Sequence, residues 1–286
     1  MTASIRTFVA GIIVPGWGYW IVGRSKHGAG AACLTIALIL IFCWTRLVLN
    51  PVGLRVLLVF VLTILIGAAV HSALIEVRGG EIERNWKRAF MFAGAYFVIA
   101  FLLFSNRGTL LGYEIFRLPA SSMAPTLLEG DYIIVDTWRF RDVDPAYGDI
   151  VVFELPQSGV NYIKRVVGIP RDEVRYEQHR LTINGSVVPL EPRPDATRLD
   201  PRFIERLGDQ EHEILITNAG FSIRDGIFNV PDGHYFVLGD NRDNSRDSRY
   251  FGMIPRDNIR GRIAHIYYSS SEATGIRWDR FPAQFD

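Results

Sequence analysis

Three apolar runs of membrane length in the N-terminal part of the chain constrain its fold more than any other feature. They cover residues 28–48, 56–76 and 89–105 and carry almost no charge. A helix needs about 20 consecutive apolar residues to cross a bilayer. Buried core helices would explain one such run, but three in succession argue for a membrane. The pattern therefore predicts a membrane domain over residues 1–106 with three spanning helices.

An earlier apolar stretch, residues 7–22, is shorter and is interrupted by Pro15, Gly16 and Gly18. Such a stretch either crosses the bilayer tightly or lies re-entrant or interfacial, and the sequence leaves both interpretations open. No small-residue cleavage site follows it, which argues against a removable signal peptide.

Basic residues in the short loops predict the orientation of the membrane domain. The densest cluster joins the second and third spans and consists of Arg78, Arg84, Lys87 and Arg88. Because such loops stay in the cytoplasm, the third span runs outward and the chain after about residue 106 lies outside. The loop with Arg24 and Lys26 then falls inside, in agreement, whereas the loop with Arg46 and Arg55 falls outside at a mild cost. The side of the N terminus depends on whether residues 7–22 cross.

Charge and cysteine content exclude several classes of function. Lysine and arginine total 31 against 30 aspartate and glutamate residues, so nothing suggests a nucleic-acid partner. Both cysteines, Cys33 and Cys43, lie inside the first span. We interpret them as small hydrophobic residues and not as a disulfide or a metal site.

From residue 107 onward the sequence changes to short alternating runs separated by Gly, Pro and Asp. Many short strands joined by turns predict a mostly β domain over residues 107–286. Asn184-Gly185 predicts a two-residue hairpin turn, and the proline-rich, charged stretch 191–211 is expected to be an exposed excursion. The candidate strands are 131–136, 149–154, 160–168, 173–176, 180–184, 187–190, 213–217, 234–238 and 262–268.

Two adjacent serines, Ser121 and Ser122, lie between prolines just after the third span. A serine held there on rigid backbone is a candidate nucleophile at a membrane surface. The alternative is an ordinary turn into the strand that follows.

A second motif contains the consecutive basic residues Lys164 and Arg165 in a predicted strand, where they must point to opposite faces. On this segment alone a snorkelling lysine with its head in water is the favoured interpretation. If Lys164 is instead buried, desolvation lowers its pKa, and a neutral amine can take the proton of a serine hydroxyl. A Ser-His-Asp site has little support, because none of the histidines after residue 107 lies in a dense motif: His179, His212, His234 and His265.

A third motif, residues 239–252, is a dense polar run directly after a candidate strand. Its acidic residues do not follow the spacing of a calcium loop, so we predict no metal site. A rigid loop that presents hydroxyls and an Asp–Arg pair to a neighbouring site is the better interpretation.

These motifs resemble bacterial type I signal peptidases, the membrane-bound Ser-Lys endopeptidases that remove signal peptides from exported preproteins. The resemblance covers about residues 115–268, with the motifs in the same order after a membrane span. The matching segments are Pro119-x-x-Ser122-Met123-x-Pro125-Thr126-Leu127-x-x-Gly130-Asp131, Gly148-Asp149-Ile-Val-Val-Phe, Tyr162-Ile-Lys164-Arg165-Val-x-Gly168 and Gly239-Asp240-Asn241-Arg242-Asp243-Asn244-Ser245-x-Asp247-Ser248-Arg249-Tyr250-x-Gly252.

The resemblance implies a role for each matching residue. Ser122 corresponds to the nucleophile, Lys164 to the general base and Ser245 to the serine that orients the lysine amine. Asp247 and Arg249 correspond to a structural ion pair, and Gly239 to a close-packed position beside the site. The residues implied to form the small-residue pockets and the apolar surroundings of the lysine are Leu118, Met123, Leu127, Phe153, Tyr162, Ile163 and Val237.

The resemblance also implies the fold, partners and location. It implies N-terminal transmembrane helices followed by an antiparallel β catalytic domain with a Ser-Lys dyad, and no cofactor. The expected substrates are exported preproteins cleaved after Ala-x-Ala, and the other partner is the lipid bilayer. The expected location is the bacterial cytoplasmic (inner) membrane, with several spans and the catalytic domain on the extracytoplasmic side.

The sequence departs from the family pattern at two points. Ala120 occupies the position where many members carry a serine that donates into the oxyanion hole, and the membrane domain has more spans than the usual one or two. Two alternatives therefore remain: a weakened or specialised Ser-Lys processing protease, and a non-catalytic membrane-anchored docking module. Soluble self-cleaving repressors share the chemistry, but the membrane spans argue against them.

Overall fold

The computed structural model describes residues 3–78, 85–155, 158–197, 201–217, 224–281 and 283–284. The chain forms two compact units, Met1–Tyr113 and Glu114–Asp286. The sequence pattern placed this boundary at residue 106. The first unit extends further because Leu111 is buried in an apolar cluster with Cys43 and Val48.

The first unit is helical. Among the described residues, α3, α4 and α5 are long and apolar enough to cross a membrane, and they overlap the three predicted spans, although α3 ends at Trp44 and not at residue 48. Arg84, part of the basic cluster that predicted the orientation, lies outside the described residues. The helices are α1 Ala3–Ile13, α2 Trp17–Ile21, α3 Ser25–Trp44, α4 Pro51–Arg78, α5 Trp86–Ser105 and α6 Arg107–Leu110.

Residues 7–22 form α1 and α2 with a break between them. Gly16, in the break, has a positive φ of 85°, and a side chain there would overlap the backbone of Gly28 on α3. Glycine is therefore needed both for the backbone conformation and for the close approach. α1 packs along α4, and α2 packs against α3, α4 and α5.

The second unit is mostly antiparallel β structure and also contains the short α-helix α7 Ser248–Phe251. The strands are β1 Tyr113–Arg117, β2 Asp131–Asp136, β3 Ile150–Glu154, β4 Asn161–Gly168, β5 Glu173–Glu177, β6 Arg180–Ile183, β7 Ser186–Val187, β8 Leu190–Pro192, β9 Arg202–Leu207, β10 Gln210–Leu215, β11 Gly226–Asn229, β12 His234–Leu238, β13 Ile254–Pro255, β14 Ile259–Ser271, β15 Gly275–Ile276 and β16 Ala283–Gln284.

The largest sheet has the order β1-β2-β14-β3-β4-β12-β13, and β15 and β16 also pair with β14. β11-β5-β6-β7 and β10-β9-β8 form two smaller sheets. In the large sheet, β4 lies between β3 and β12, so Lys164 is on a central strand opposite Val151. This central position explains why the lysine is shielded from water.

The predicted hairpin at Asn184-Gly185 is confirmed. Both residues have positive φ, 50° and 78°, and they join β6 to β7 through the pair Ile183 and Ser186. A two-residue turn with positive φ at both positions matches the twist of the flanking strands.

The expectation that residues 191–211 form an exposed excursion is only partly correct, because many of its described residues are exposed but the stretch is built into strands. Most of the described part of this stretch belongs to β8, β9 and β10, and the side chains of Glu205 and Leu207 are buried, each 1% exposed. The charge of Glu205 suggested exposure, but Arg242 from the third motif neutralises it at 2.7 Å. A charged residue can occupy the inward face of a strand when it is paired in this way.

Candidate active site

The turn that carries Ser122 is fixed at both ends. Leu118 exchanges backbone hydrogen bonds of 2.9 Å with the start of β2, donating its amide to Asp131 and accepting from Gly130. Met123 and Leu127 are buried in one apolar cluster and are joined by a backbone hydrogen bond of 2.9 Å. These anchors hold Ser122 on rigid backbone.

The side chain of Lys164 contacts that of Ser122 directly. Its Nζ donates hydrogen bonds to Ser122 Oγ at 2.7 Å and to the carbonyl oxygen of Ile163 at 2.8 Å. The residue is only 2% exposed, so the interpretation of Lys164 as a snorkelling lysine is wrong. The arrangement brings a nucleophile and a candidate base within hydrogen-bond reach across 42 residues of sequence.

Burial lowers the pKa of Lys164 from 10.5 to about 8. The carboxylates of Asp247 and Asp240 act in the opposite direction, and the Arg249 guanidinium lowers the pKa further. An amine with a pKa of about 8 is neutral in an appreciable fraction of molecules near neutral pH. A lysine with an unperturbed pKa, by contrast, is almost entirely charged there. The site can therefore supply a proton acceptor without a histidine.

The third motif packs directly against the Ser122 turn. The amide of Asn241 donates to the Ser122 carbonyl oxygen at 3.2 Å, and a side chain at Gly239 would overlap both that oxygen and Ser245. Asp247 accepts a hydrogen bond from the amide of Gly239 at 3.1 Å. The close-packed position that the resemblance implied for Gly239 is thus beside the nucleophile.

Asp247 and Arg249 form the ion pair that the resemblance implied. Two hydrogen bonds of 2.8 Å join their side chains, and both residues are buried. Arg249 also donates to the carbonyl oxygen of Arg242 at 2.6 Å and stacks on the ring of Tyr176. The pair stabilises the loop from within rather than at its surface.

Ser245 is buried, and its hydroxyl has no hydrogen-bond partner among the described residues. It lies against Gly239. The hydrogen bond to Lys164 that the resemblance implied is not formed in this structure. Its orienting role stays a prediction.

A buried network that the sequence did not reveal joins the three motifs. Thr126 donates to Asp240 at 2.5 Å, and Asp240 accepts two hydrogen bonds from Arg165 at 2.8 and 2.7 Å. Burial alone would raise the pKa of Asp240, but the Arg165 guanidinium holds it below its ordinary value. Thr126, Arg165 and Asp240 all lie in the matching motifs, but only long-range contacts show that they meet.

A second buried pair connects the third motif to β9. Arg242 and Glu205 form two hydrogen bonds of 2.7 and 2.5 Å, and His212 lies 3.2 Å from the same carboxylate. Burial would raise the pKa of Glu205, but Arg242 and His212 keep it low. The strand predicted to be an excursion therefore supports the active-site loop.

An apolar groove of about 300 Å³ runs beside Ser122 and Lys164. Four of the predicted pocket residues line it: Leu118, Met123, Tyr162 and Ile163. The other three, Leu127, Phe153 and Val237, are buried in the apolar clusters behind it. The remaining lining residues, which were not predicted to form the pocket, are Pro119, Ala120, Val160, Asn161 and Arg246.

The histidines of this unit are engaged elsewhere. His179 lies 2.6 Å from Asp243, and His212 is next to Glu205. In the part of the chain that the structure describes, no group of three or more His, Cys, Asp or Glu side chains could hold a metal ion.

Residues 86–268 match the family described as signal peptidase, peptidase S26. The chain belongs to this family. A signal peptidase I of Pseudomonas fluorescens is 39% identical over 206 residues, which are 62% of this chain and 72% of the relative. A signal peptidase I of Pseudomonas aeruginosa is 37% identical over 203 residues, or 61% and 71% of the two chains. A third, of Aquifex aeolicus, is 31% identical over 197 residues, or 54% and 76%.

This membership confirms two predictions made from the sequence, the family and the serine endopeptidase class. The structure itself confirms a third, apolar helices followed by an antiparallel β domain. The match begins at residue 86 and so includes α5 but not the four helices before it. The three long apolar helices indicate that the peptidase is anchored in a membrane.

Proposed function

We propose that this peptidase removes N-terminal signal peptides from exported preproteins by cutting after small residues, typically Ala-x-Ala, with Ser122 as the nucleophile and Lys164 as the general base. The observation that carries the proposal is the 2.7 Å contact between the buried Lys164 Nζ and Ser122 Oγ. This contact also speaks against a docking module that has lost its chemistry.

In the proposed reaction, neutral Lys164 takes the proton of Ser122 as Oγ attacks the carbonyl carbon of the scissile peptide bond. Lys164 then donates that proton to the leaving amine, and the acyl-enzyme forms. A water molecule, deprotonated by Lys164, attacks the ester carbonyl and releases the signal peptide with a new carboxyl terminus. The proton returns to Ser122, which restores the starting state.

The oxyanion needs a donor beside Ser122. The groove lining includes Ala120 and Ser122 but omits Ser121, and the Ser121 hydroxyl instead accepts a hydrogen bond from Asn244 at 3.2 Å. The amide of Ser122 donates to no acceptor among the described residues. We assign the oxyanion to this amide, so the site works with one donor fewer than relatives with a serine at position 120.

The proposed location is the bacterial cytoplasmic membrane, crossed several times, with the β unit on the extracytoplasmic side. The basic residues Arg24, Lys26, Arg78, Lys87 and Arg88 support this orientation, because it leaves their loops in the cytoplasm.

Cleavage of a preprotein with an Ala-x-Ala site by the purified chain in detergent, from pH 6 to pH 10, tests the proposal. We expect activity to rise with pH and to level off above an apparent pKa of about 8, since the neutral amine is the active form. Ser122→Ala and Lys164→Ala should be inactive, whereas Ser121→Ala, the matched control, should retain most of its activity. Cleavage by Ser122→Ala or Lys164→Ala at the wild-type rate would overturn the assignment.

A further inference from the structure

The charges of the third motif, residues 239–252, are almost completely paired. Arg246 is the exception: it is exposed and has no hydrogen-bond or ion-pair partner among the described residues. The paired groups are Asp240 with Arg165, Arg242 with Glu205, Asp243 with His179, and Asp247 with Arg249.

Arg246 is held at the substrate groove by its neighbours. Ser245 and Asp247, on either side of it, are both buried, so the backbone that carries Arg246 is fixed. Its side chain lines the same groove as Ser122 and Lys164. A chain that presents its scissile bond to Ser122 has to lie along this lining.

The groove offers a cation but no anion. Among the described residues its lining contains no carboxylate, and apart from Lys164 its only charged side chain is Arg246. A guanidinium is charged at every pH that proteins experience, and its planar fork matches a carboxylate with two parallel hydrogen bonds. A bound peptide also displaces water from the groove, which strengthens the attraction between charges.

We infer that Arg246 is a specificity-determining residue that favours substrates with an aspartate or glutamate close to the scissile bond. This inference rests on the proposed function, because it names a preference of the same groove. A lipid phosphate is another anion that a membrane-anchored protein encounters. The position of Arg246 on the groove lining, beside the nucleophile and base, favours the peptide carboxylate.

The test compares matched preproteins with glutamate, glutamine or lysine placed in turn at each position flanking the small residues of the cleavage site. The full chain in detergent would be assayed for kcat/KM as wild type, Arg246→Lys, Arg246→Ala and Arg246→Glu. Arg180→Ala is the matched control, because Arg180 is also exposed but does not line the groove.

At one position or more, wild type should cleave the glutamate substrate about 2- to 5-fold better than the glutamine substrate, as expected for one partly exposed ion pair. Arg246→Ala should lose this ratio, Arg246→Lys should keep part of it, and Arg246→Glu should favour the lysine substrate. Arg180→Ala should match wild type. Raising the salt concentration should reduce the ratio, because salt screens exposed charges.

An unchanged ratio in Arg246→Ala at every position would overturn the inference while leaving the proposed function intact. A second result would also overturn the inference and leave the proposed function intact. In that result, Arg246→Ala slows the cleavage of all substrates equally in vesicles that contain phosphatidylglycerol, but not in vesicles of phosphatidylcholine alone. That result would indicate a lipid phosphate. If wild type cleaved no substrate at all, the proposed function itself would fail, and this inference with it.

Discussion

At the scale of single residues, the proposed role of Lys164 has a cost in stability. A lysine whose pKa is lowered from 10.5 to about 8 binds its proton less tightly in the folded than in the unfolded chain. Its burial therefore lowers the free energy of unfolding, and this cost is present in full below about pH 8. The cost decreases as the pH rises from about 8 to 10.5. The pKa difference corresponds to about 3 kcal/mol.

Replacing this lysine with an apolar residue of similar length should stabilise the protein while abolishing cleavage. We expect Lys164→Met to be more stable than wild type at pH 7, by up to about 3 kcal/mol, with the gap closing toward pH 10. Thermal unfolding in detergent across this pH range measures the gap. Lys26→Met, at an exposed position, is the control and should show no such pH dependence. A Lys164→Met protein less stable than wild type at pH 7 would contradict the proposed origin of the low pKa.

Ala120 offers the opposite kind of test, a gain of function. A serine at this position, on the groove lining beside Ser122, would add a second oxyanion donor. One such donor is worth about 10²- to 10³-fold in rate. We expect Ala120→Ser to raise kcat by up to this factor with little change in KM, as measured by steady-state kinetics of preprotein cleavage. Ala120→Cys, of similar size but a much weaker donor, should gain far less; an equal gain would point to packing instead.

At the scale of secondary-structure elements, β9 supports the active-site loop through the buried pair of Glu205 and Arg242. Glu205 and Arg242 are almost fully buried, whereas Arg206, next in the strand, pairs with Glu191 and Glu211 at the surface. The same strand thus presents one ion pair to the interior and others to water. Because burial determines what an ion pair contributes, the two sides should respond differently to substitution.

Glu205→Gln leaves the Arg242 charge buried without a counter-charge. We expect it to lower the free energy of unfolding by about 3–5 kcal/mol. The matched change at the surface, Glu211→Gln, should cost less than about 1 kcal/mol. Denaturant unfolding of both variants measures the difference. Equal effects would mean that β9 does not hold the third motif in place.

Sequence patterns predicted the elements whose signals are local and missed those that depend on distant partners. The apolar lengths of α3, α4 and α5, the short apolar runs in β2 and β12 and the Asn184-Gly185 turn are all visible within short windows. Glu205 suggested exposure because its partner, Arg242, is 37 residues away.

The same limit applies to the site. The motifs predicted that Ser122 and Lys164 act together, but period-two alternation could not show that both Lys164 and Arg165 are buried. Each has its own distant partner, Ser122 for the lysine and Asp240 for the arginine. Leu127, Phe153 and Val237 are apolar enough to line a groove, yet they pack behind it, because hydrophobicity does not distinguish a lining position from a core position.

At the scale of the whole molecule, the orientation across the membrane can be tested with single cysteines. Ser186→Cys, at the exposed start of β7, should react with a membrane-impermeant maleimide in intact cells. Ser25→Cys, at the exposed start of α3, should react only after the cells are opened. Gel-shift labelling measures both, with Cys33 and Cys43 replaced by alanine. Labelling of Ser25→Cys but not Ser186→Cys in intact cells would reverse the orientation.

The distances along the chain between the parts of the site also determine when the enzyme becomes active during its own synthesis. Ser122 follows the third span closely along the chain, but Lys164 is synthesised later and Asn241 later still. Lys164 contacts the hydroxyl of Ser122, and Asn241 contacts its carbonyl oxygen. In the proposed orientation, with the β unit on the extracytoplasmic side, a half-exported copy would carry the proposed nucleophile without its proposed base or the loop that supports it. We therefore expect a nascent chain to cleave neither itself nor its neighbours in the export machinery until its own translocation is complete.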